Sequence, residues 1–220
     1  MASTDQAGQV RGLRVRVAVL SSTGVPEAGA ANGYVSGAFV LVRSTPRYDD
    51  GEAVGPVRNA AGTVCVEDRA RPTLLGGIVR IQLCSPDPNL VSMLENGTIL
   101  TDGGATVGSN TSRTHTTNDR KLSIEVFSKA VIGGAQAGTD PYWWNVWPLV
   151  EDMRRIEDEE HSSGTAVNPV FEGFANENPL WGNGPWNDWT LASNTWRLGP
   201  MRTDTIPATS ADFTAVPAQV

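Results

Sequence analysis

The sequence predicts a mostly β protein carrying one short α-helix and long loops. Glycine (23) and proline (14) are abundant beside many Thr, Ser and Val, a composition that favours turns and strands over long helices. Several runs alternate apolar and polar residues with the period of two that a half-buried strand requires. A single segment carries the start, stripe and stop signals of a helix.

Residues 12–20, GLRVRVAVL, set Arg14 and Arg16 against Val15, Val17 and Val19 and read as the first strand. After the loop SSTGVPEAGAANG comes a second apolar run, residues 34–42. Residues 45–61 are rich in Asp, Gly, Pro and Arg without periodicity, which suggests a segment with no core of its own, mobile or ordered by a partner. Residues 63–67 and 74–83 read as two more strands, the second with Ile81 and Leu83 on one face and Val79, Arg80 and Gln82 on the other. The helix is DPNLVSMLENG. Asp87 caps its free amides, Pro88 suits the first helical position, Leu90, Val91 and Leu94 form an apolar stripe, and Gly97 suits the C-terminal cap. So short a helix must be held by packing against a sheet.

Residues 98–117, around TDGGATVG, suit turns or a hairpin end. KLSIEVFSK (121–129) alternates Leu122, Ile124 and Val126 with Ser123, Glu125 and Phe127, as a strand does. Over residues 142–156 a helix competes, because Val150, Met153 and Ile156 are spaced by three, but a strand followed by the acidic turn EDEEHSSG is preferred. Residues 167–175 form a further strand with Phe171, Gly173 and Ala175 on one face. With neither an internal repeat nor a second domain evident, residues 1–220 read as a single domain, with a polar N-terminal segment (1–11) and an extended tail (200–220).

The chain carries 17 Lys and Arg against 24 Asp and Glu, a net charge of −7. Residues 1–110 hold 9 basic and 10 acidic groups and residues 111–220 hold 8 and 14, so the second half carries most of the excess. That balance argues against tight binding to nucleic acid or acidic membranes, which needs a clustered basic surface. No apolar run approaches the length of a membrane span, and the first residues lack the apolar core of a signal peptide, so synthesis in the cytosol is expected. Cys65 and Cys84 are too few for a disulfide scaffold or a standard zinc site and are expected to be free, buried thiols, the alternative being a disulfide across neighbouring strands, which a reducing cytosol disfavours.

No catalytic set emerges. His115 and His161 sit in polar, loop-like sequence, and HExxH, CxxC and GxxxxGK[ST] patterns are absent. The pairs Gly76–Gly77, Gly103–Gly104 and Gly133–Gly134 suit turns or close backbone approaches. The acidic residues Glu151, Asp152, Glu157, Asp158, Glu159 and Glu160 lack calcium-loop spacing and read as a solvated face. Nothing fixes Glu172, Glu177 and Asp188 as a glycosidase pair. The reading is a protein that is not an enzyme, with no cofactor and no metal.

Tryptophan is the one concentrated resource. Trp143, Trp144 and Trp147 cluster in PYWWNVWP, and Trp181, Trp186 and Trp189 in NPLWGNGPWNDW. Such aromatics beside Asn and Asp can hold sugars, but they more often fill cores or subunit interfaces, and these six are the candidate interface residues.

Three segments, in order, resemble the major tail (tail tube) proteins of siphophages that infect actinobacteria. They are residues 65–102 with LGGIVRIQLCSPDPNLVSML and ILTDGGATVG, then LSIEVFSK followed by PYWWNVWP, then FEGFANENPLWGNGPWNDW. The resemblance spans residues 63–190. It implies a β-sandwich or barrel-like protomer with one flanking helix that assembles with itself into stacked hexameric rings. The virion tail tube so formed would meet tape measure and tail terminator or tip proteins, with DNA passing through its lumen unbound and no membrane engaged. Arg14, Arg16 and Arg80 are expected to pair with the neighbouring subunit. A head–tail joining or capsid-surface protein and a carbohydrate-binding adhesin are the alternatives.

Overall fold

The computed structural model describes residues 8–27, 32–51, 54–68, 71–111, 120–132, 135–138, 141–156, 168–181, 191 and 193–208. Along the chain these form β1 (Gly8–Val19), β2 (Gly33–Ser36), β3 (Phe39–Asp49), β4 (Val54–Arg58), β5 (Val64–Asp68), β6 (Thr73–Leu83) and α1 (Pro88–Leu94). Then follow β7 (Thr98–Asp102), β8 (Ala105–Asn110), β9 (Leu122–Ile132), β10 (Ala135–Gln136), β11 (Tyr142–Arg155), β12 (Val170–Asn176) and β13 (Leu198–Thr203). The expected class, mostly β with one short helix, is the one observed.

The main sheet is antiparallel with the order β2-β1-β9-β11-β12-β6-β3, with β10 added to β9 and β13 to β11. Its two end strands, β2 and β3, are separated in the chain by Gly37 and Ala38 alone. Three Cα steps reach about 11 Å, so the sheet must curl until its ends meet. A single bent strand, β2 running into β3, therefore closes a barrel. The close approach of the two sides is visible at Gly12 of β1, where an added Cβ would lie 2.7 Å from the Phe39 ring of β3.

The barrel interior takes one face of each strand. Val15 and Val17 of β1, Leu122, Ile124 and Val126 of β9, Trp147 and Val150 of β11, Phe171 and Ala175 of β12, and Val79, Ile81 and Leu83 of β6 form one cluster. Fully burying such a side chain stabilises the fold by roughly 1.5–3 kcal/mol. Val79 shares the inner face with Ile81 and Leu83, against the expectation that it would lie opposite them. Residues of equal parity share a face in a strand, and all three are fully buried.

Helix α1 packs its Leu90, Val91, Met93 and Leu94 against this cluster. Asp87 is the N-cap, its Oδ1 accepting from the Asn89 N–H, and its Oδ2 accepts the Tyr34 hydroxyl of β2 at 2.6 Å. At the other end Asn96, with φ +54°, takes the left-handed position expected of Gly97. The Gly97 N–H then reaches back to the Ser92 carbonyl at 2.7 Å, as in a Schellman closure.

β11 is long enough to change partners. Its residues 142–146 pair with β13 and residues 149–155 pair with β12, while β9 holds its other edge. A bulge between Glu151 and Arg154 makes the turn, with Asp152 at φ +52°. Gly173 of β12 sits opposite, where a Cβ would meet Val150 Cγ1 at 2.8 Å and the Glu151 carbonyl at 2.9 Å.

Beyond the barrel, residues expected to lack structure are paired. Residues 45–49 continue β3 against β6, and β4, also within the segment expected to be irregular, pairs in a second hairpin with β5, the strand expected at residues 63–67. Backbone pairing explains them. Both faces of this ribbon are exposed, so no alternation is required of its sequence. Residues 98–110 do form a hairpin, turning at Gly103 and Gly104, both with positive φ. Cys65 and Cys84 are free, as expected, but exposed rather than buried, one in the β4–β5 hairpin and the other just past β6.

Candidate assembly surface

The outer face of β1, β9 and β11 is covered by the chain's own C-terminal part. Ala18, Phe127, Trp144 and Val146 are buried beneath Trp181 and Leu191, with Leu198, Met201 and Ile206 alongside. β9 is therefore buried on both faces, which is why Ser123, Glu125 and Ser128 count among the buried polar residues.

Under this cover lies an ion pair. Arg16 donates through Nε to Glu125 Oε1 and through a terminal nitrogen to Oε2, each at 2.8 Å, with 1% and 0% of the side chains accessible. The two residues are directly opposite in the β1–β9 register. Trp144 adds its indole N–H to Glu125 Oε2 at 2.9 Å, and Trp181 donates to Ser123 Oγ at 2.7 Å. Phe127 stacks on Trp144 at 5.9 Å between ring centroids, and the Arg16 guanidinium lies 5.9 Å from the Phe127 centroid.

This arrangement corrects the interface expectation for three tryptophans. Trp144 and Trp181 have no accessible surface and Trp147 has 4%, so they fill the protomer's own interior rather than an exposed contact face. They cannot be a sugar platform either. Trp143 is partly exposed, with Arg202 over its ring at 5.0 Å. Trp186 and Trp189 lie outside the described residues, as do His115, His161, Gly133, Gly134, Asp188 and Glu157 to Glu160. A signal was present in the sequence: on a strand, a spacing of three puts Trp144 and Trp147 on opposite faces.

Two of the arginines expected to pair between subunits pair within the chain, Arg16 with Glu125 and Arg80 with Glu172. Arg14 donates to its neighbour's carbonyl at Leu13. Glu151 holds Lys121 at 3.7 Å and accepts from Asn176, and Glu177 accepts the Asn194 N–H. Among the described residues no group of three His, Cys, Asp or Glu could hold a metal ion, and no helix is long and apolar enough to cross a membrane.

What remains presented outward is apolar and extended. β3 is the last strand of the sheet order, and Val40 and Leu41 on it are 54% and 46% exposed. Where β3 and β6 run beyond β12, Tyr48, Leu74 and Leu75 are also exposed, and the β4–β5 hairpin continues outward from there. Asn59 shapes the tip of that hairpin, its Oδ1 accepting from the Ala61 and Thr63 N–H groups. The β7–β8 hairpin exposes Ile99, Leu100 and Val107. Its base is fastened by Glu95, which receives the Thr111 hydroxyl and Arg155 Nε of β11. Isolated exposed apolar residues are ordinary, but rows of them on projecting ribbons mark surfaces that pair.

In comparisons with known proteins, the chain matches no family model and no curated protein.

Proposed function

We propose that the chain is a structural protomer that works by self-assembly, a phage tail tube protein whose stacked, hexameric rings form the conduit for DNA ejection, and that it performs no catalysis. The observation that carries this reading is the outward apolar set on one edge strand and two projecting hairpins. A protomer acting alone gains nothing from Val40, Leu41, Tyr48, Leu74, Leu75, Ile99, Leu100 and Val107 in water.

In the assembly, the β3 edge accepts a strand of the adjacent protomer, so that a sheet continues around the ring and its open edge is covered. The ribbon of β3, β4, β5 and β6 and the β7–β8 hairpin dock on neighbours in the ring or in the next one, burying their apolar side chains there. The net charge of −7 suits a lumen through which DNA slides without ion pairs to its phosphates. The resemblance in residues 63–190 supports the ring number, the virion location and the tape measure and terminator partners.

Negative-stain images of the purified protein over a concentration and salt series test the proposal. Hollow tubes of stacked rings are the expected result. Rings that never stack would transfer the chain to a joining role, and a protein that stays monomeric across the series, even with tail-initiating components added, would end the self-assembly reading.

A further inference from the structure

Closure of the barrel by one bent strand leaves a gap. β1 pairs with β2 at Val15 to Ala18, so the earlier part of β1 has β9 on one edge and, among the described residues, no strand on the other. β3 passes on the far side of this gap. Between them lies a cavity of about 330 Å³. A water molecule occupies roughly 30 Å³ of the liquid, so the space is far larger than one water needs, and it reaches the lower end of small-molecule sites, about 300 Å³.

Its lining is divided by chemistry. Phe39, Val42 and Val126 supply an apolar wall, and Asn145, Trp147 and Arg197 a polar one. The Trp147 indole N–H is buried and has no hydrogen-bond partner among the described residues, although the residue is 4% exposed. An indole nitrogen can only donate, and buried donors are nearly always paired. Arg197 stands over the Trp147 ring, 5.6 Å from its centroid, and spends one terminal nitrogen on Asn145 Oδ1 at 2.9 Å. That bond takes up the Asn145 oxygen, and Gln9 Nε2 is likewise engaged with Ser128 Oγ. Beside the Ser44 and Ser128 hydroxyls, the Gln9 side-chain carbonyl and the Asn145 NH2, the lining offers the Trp147 N–H and the rest of the Arg197 fork, its one cation among the described residues. Among the described residues no Asp or Glu lines the cavity.

We propose that this seam cavity binds a carboxylate, its oxygens facing Trp147 and Arg197 and its apolar body against Phe39, Val42 and Val126. The carboxylate comes either from a small free organic acid or from an Asp or Glu side chain of a second copy of the chain. Charge-assisted, forked hydrogen bonds to Arg are the strong and directional kind, which gives a carboxylate the advantage over a neutral acceptor.

The test follows the indole N–H resonances of the full chain, Trp147 being assigned as the one lost in Trp147→Phe. Sodium benzoate, added at constant ionic strength, is expected to move that resonance saturably and to raise the melting temperature, while neutral benzyl alcohol does neither. Arg197→Gln, at an exposed position, is expected to weaken benzoate about tenfold or more. If the carboxylate belongs to a second copy, the resonance also moves with protein concentration alone and benzoate reverses that change. A resonance indifferent to both benzoate and protein concentration, or a response to benzyl alcohol equal to that to benzoate, overturns the proposal.

Discussion

Replacing Glu125 by Gln should be the most damaging conservative change in the described barrel. The amide keeps the side chain's size but removes the charge that faces Arg16, and one of its ends presents hydrogens where Arg16 or Trp144 also donates. With 1% and 0% of the two side chains accessible, water cannot take over the lost contacts. Removing one member of a buried pair typically costs about 3–5 kcal/mol, because the survivor stays buried as a charge. In a chain of this size each kcal/mol moves the melting temperature by about 2–4 °C, so a fall of roughly 6–20 °C is expected. Urea unfolding monitored by far-ultraviolet circular dichroism should show a lower midpoint with an unchanged slope. The double replacement Arg16→Met with Glu125→Leu should cost less than Glu125→Gln alone, since neither charge is then left behind. A loss below about 1 kcal/mol for Glu125→Gln, or a double variant worse than the single one, would refute the account of an enclosed, mutually compensated pair.

Other expectations concern the helix, the bulge and the projecting ribbon. Burial, with the Asp87 carboxylate it donates to, pushes the Tyr34 phenol up to about 12. Above pH 10 the unfolded chain gives up this proton while the folded one keeps it, so stability present below pH 10 is lost between about pH 10 and 12. Tyr34→Phe should lose less stability than the parent across that window, read as melting temperature against pH. Asp87→Ala removes the cap of α1 and the Tyr34 partner together and should destabilise by about 1–2 kcal/mol in urea. Gly173→Ala forces a methyl against Val150 and the Glu151 carbonyl, and a loss of about 1–3 kcal/mol by the same measurement is expected. Excision of residues 52–70 with a short turn in their place should leave the melting transition intact and abolish tubes in negative stain; tubes of normal length would assign docking elsewhere.

The parts of the fold that could be read from the sequence are those where burial imposes a period. β1, β6, β9, β11 and β12 each press one face into the barrel, so Val15 and Val17, or Phe171 and Ala175, recur at every second position. The helix was legible because Asp87 and Pro88 mark its start chemically as well as by pattern. The outer part of β3 and β4 were not, since strands exposed on both faces are held by backbone bonds that leave no trace in composition. The tryptophans were legible as a resource but not as to place. Enclosing Trp144 requires Trp181, 37 positions later, to fold back over β9, and no local pattern encodes that return. The Arg16–Glu125 pair was half visible as opposite charges centred in two apolar strands, but its register depends on pairing 109 positions apart.

That separation has a bearing on synthesis. At about 5–20 residues per second, Glu125 leaves the ribosome roughly 5–20 s after Arg16. Throughout that interval β1 holds the Arg16 charge and the core residues Val15 and Val17 with β9, the long strand that will flank them, not yet made. The β3–β6 ribbon and α1 can form meanwhile from local contacts, which close first. The nascent chain thus waits with β1 paired only to the short β2, and the acidic residue that completes the pair arrives only after more than half the protein has been made.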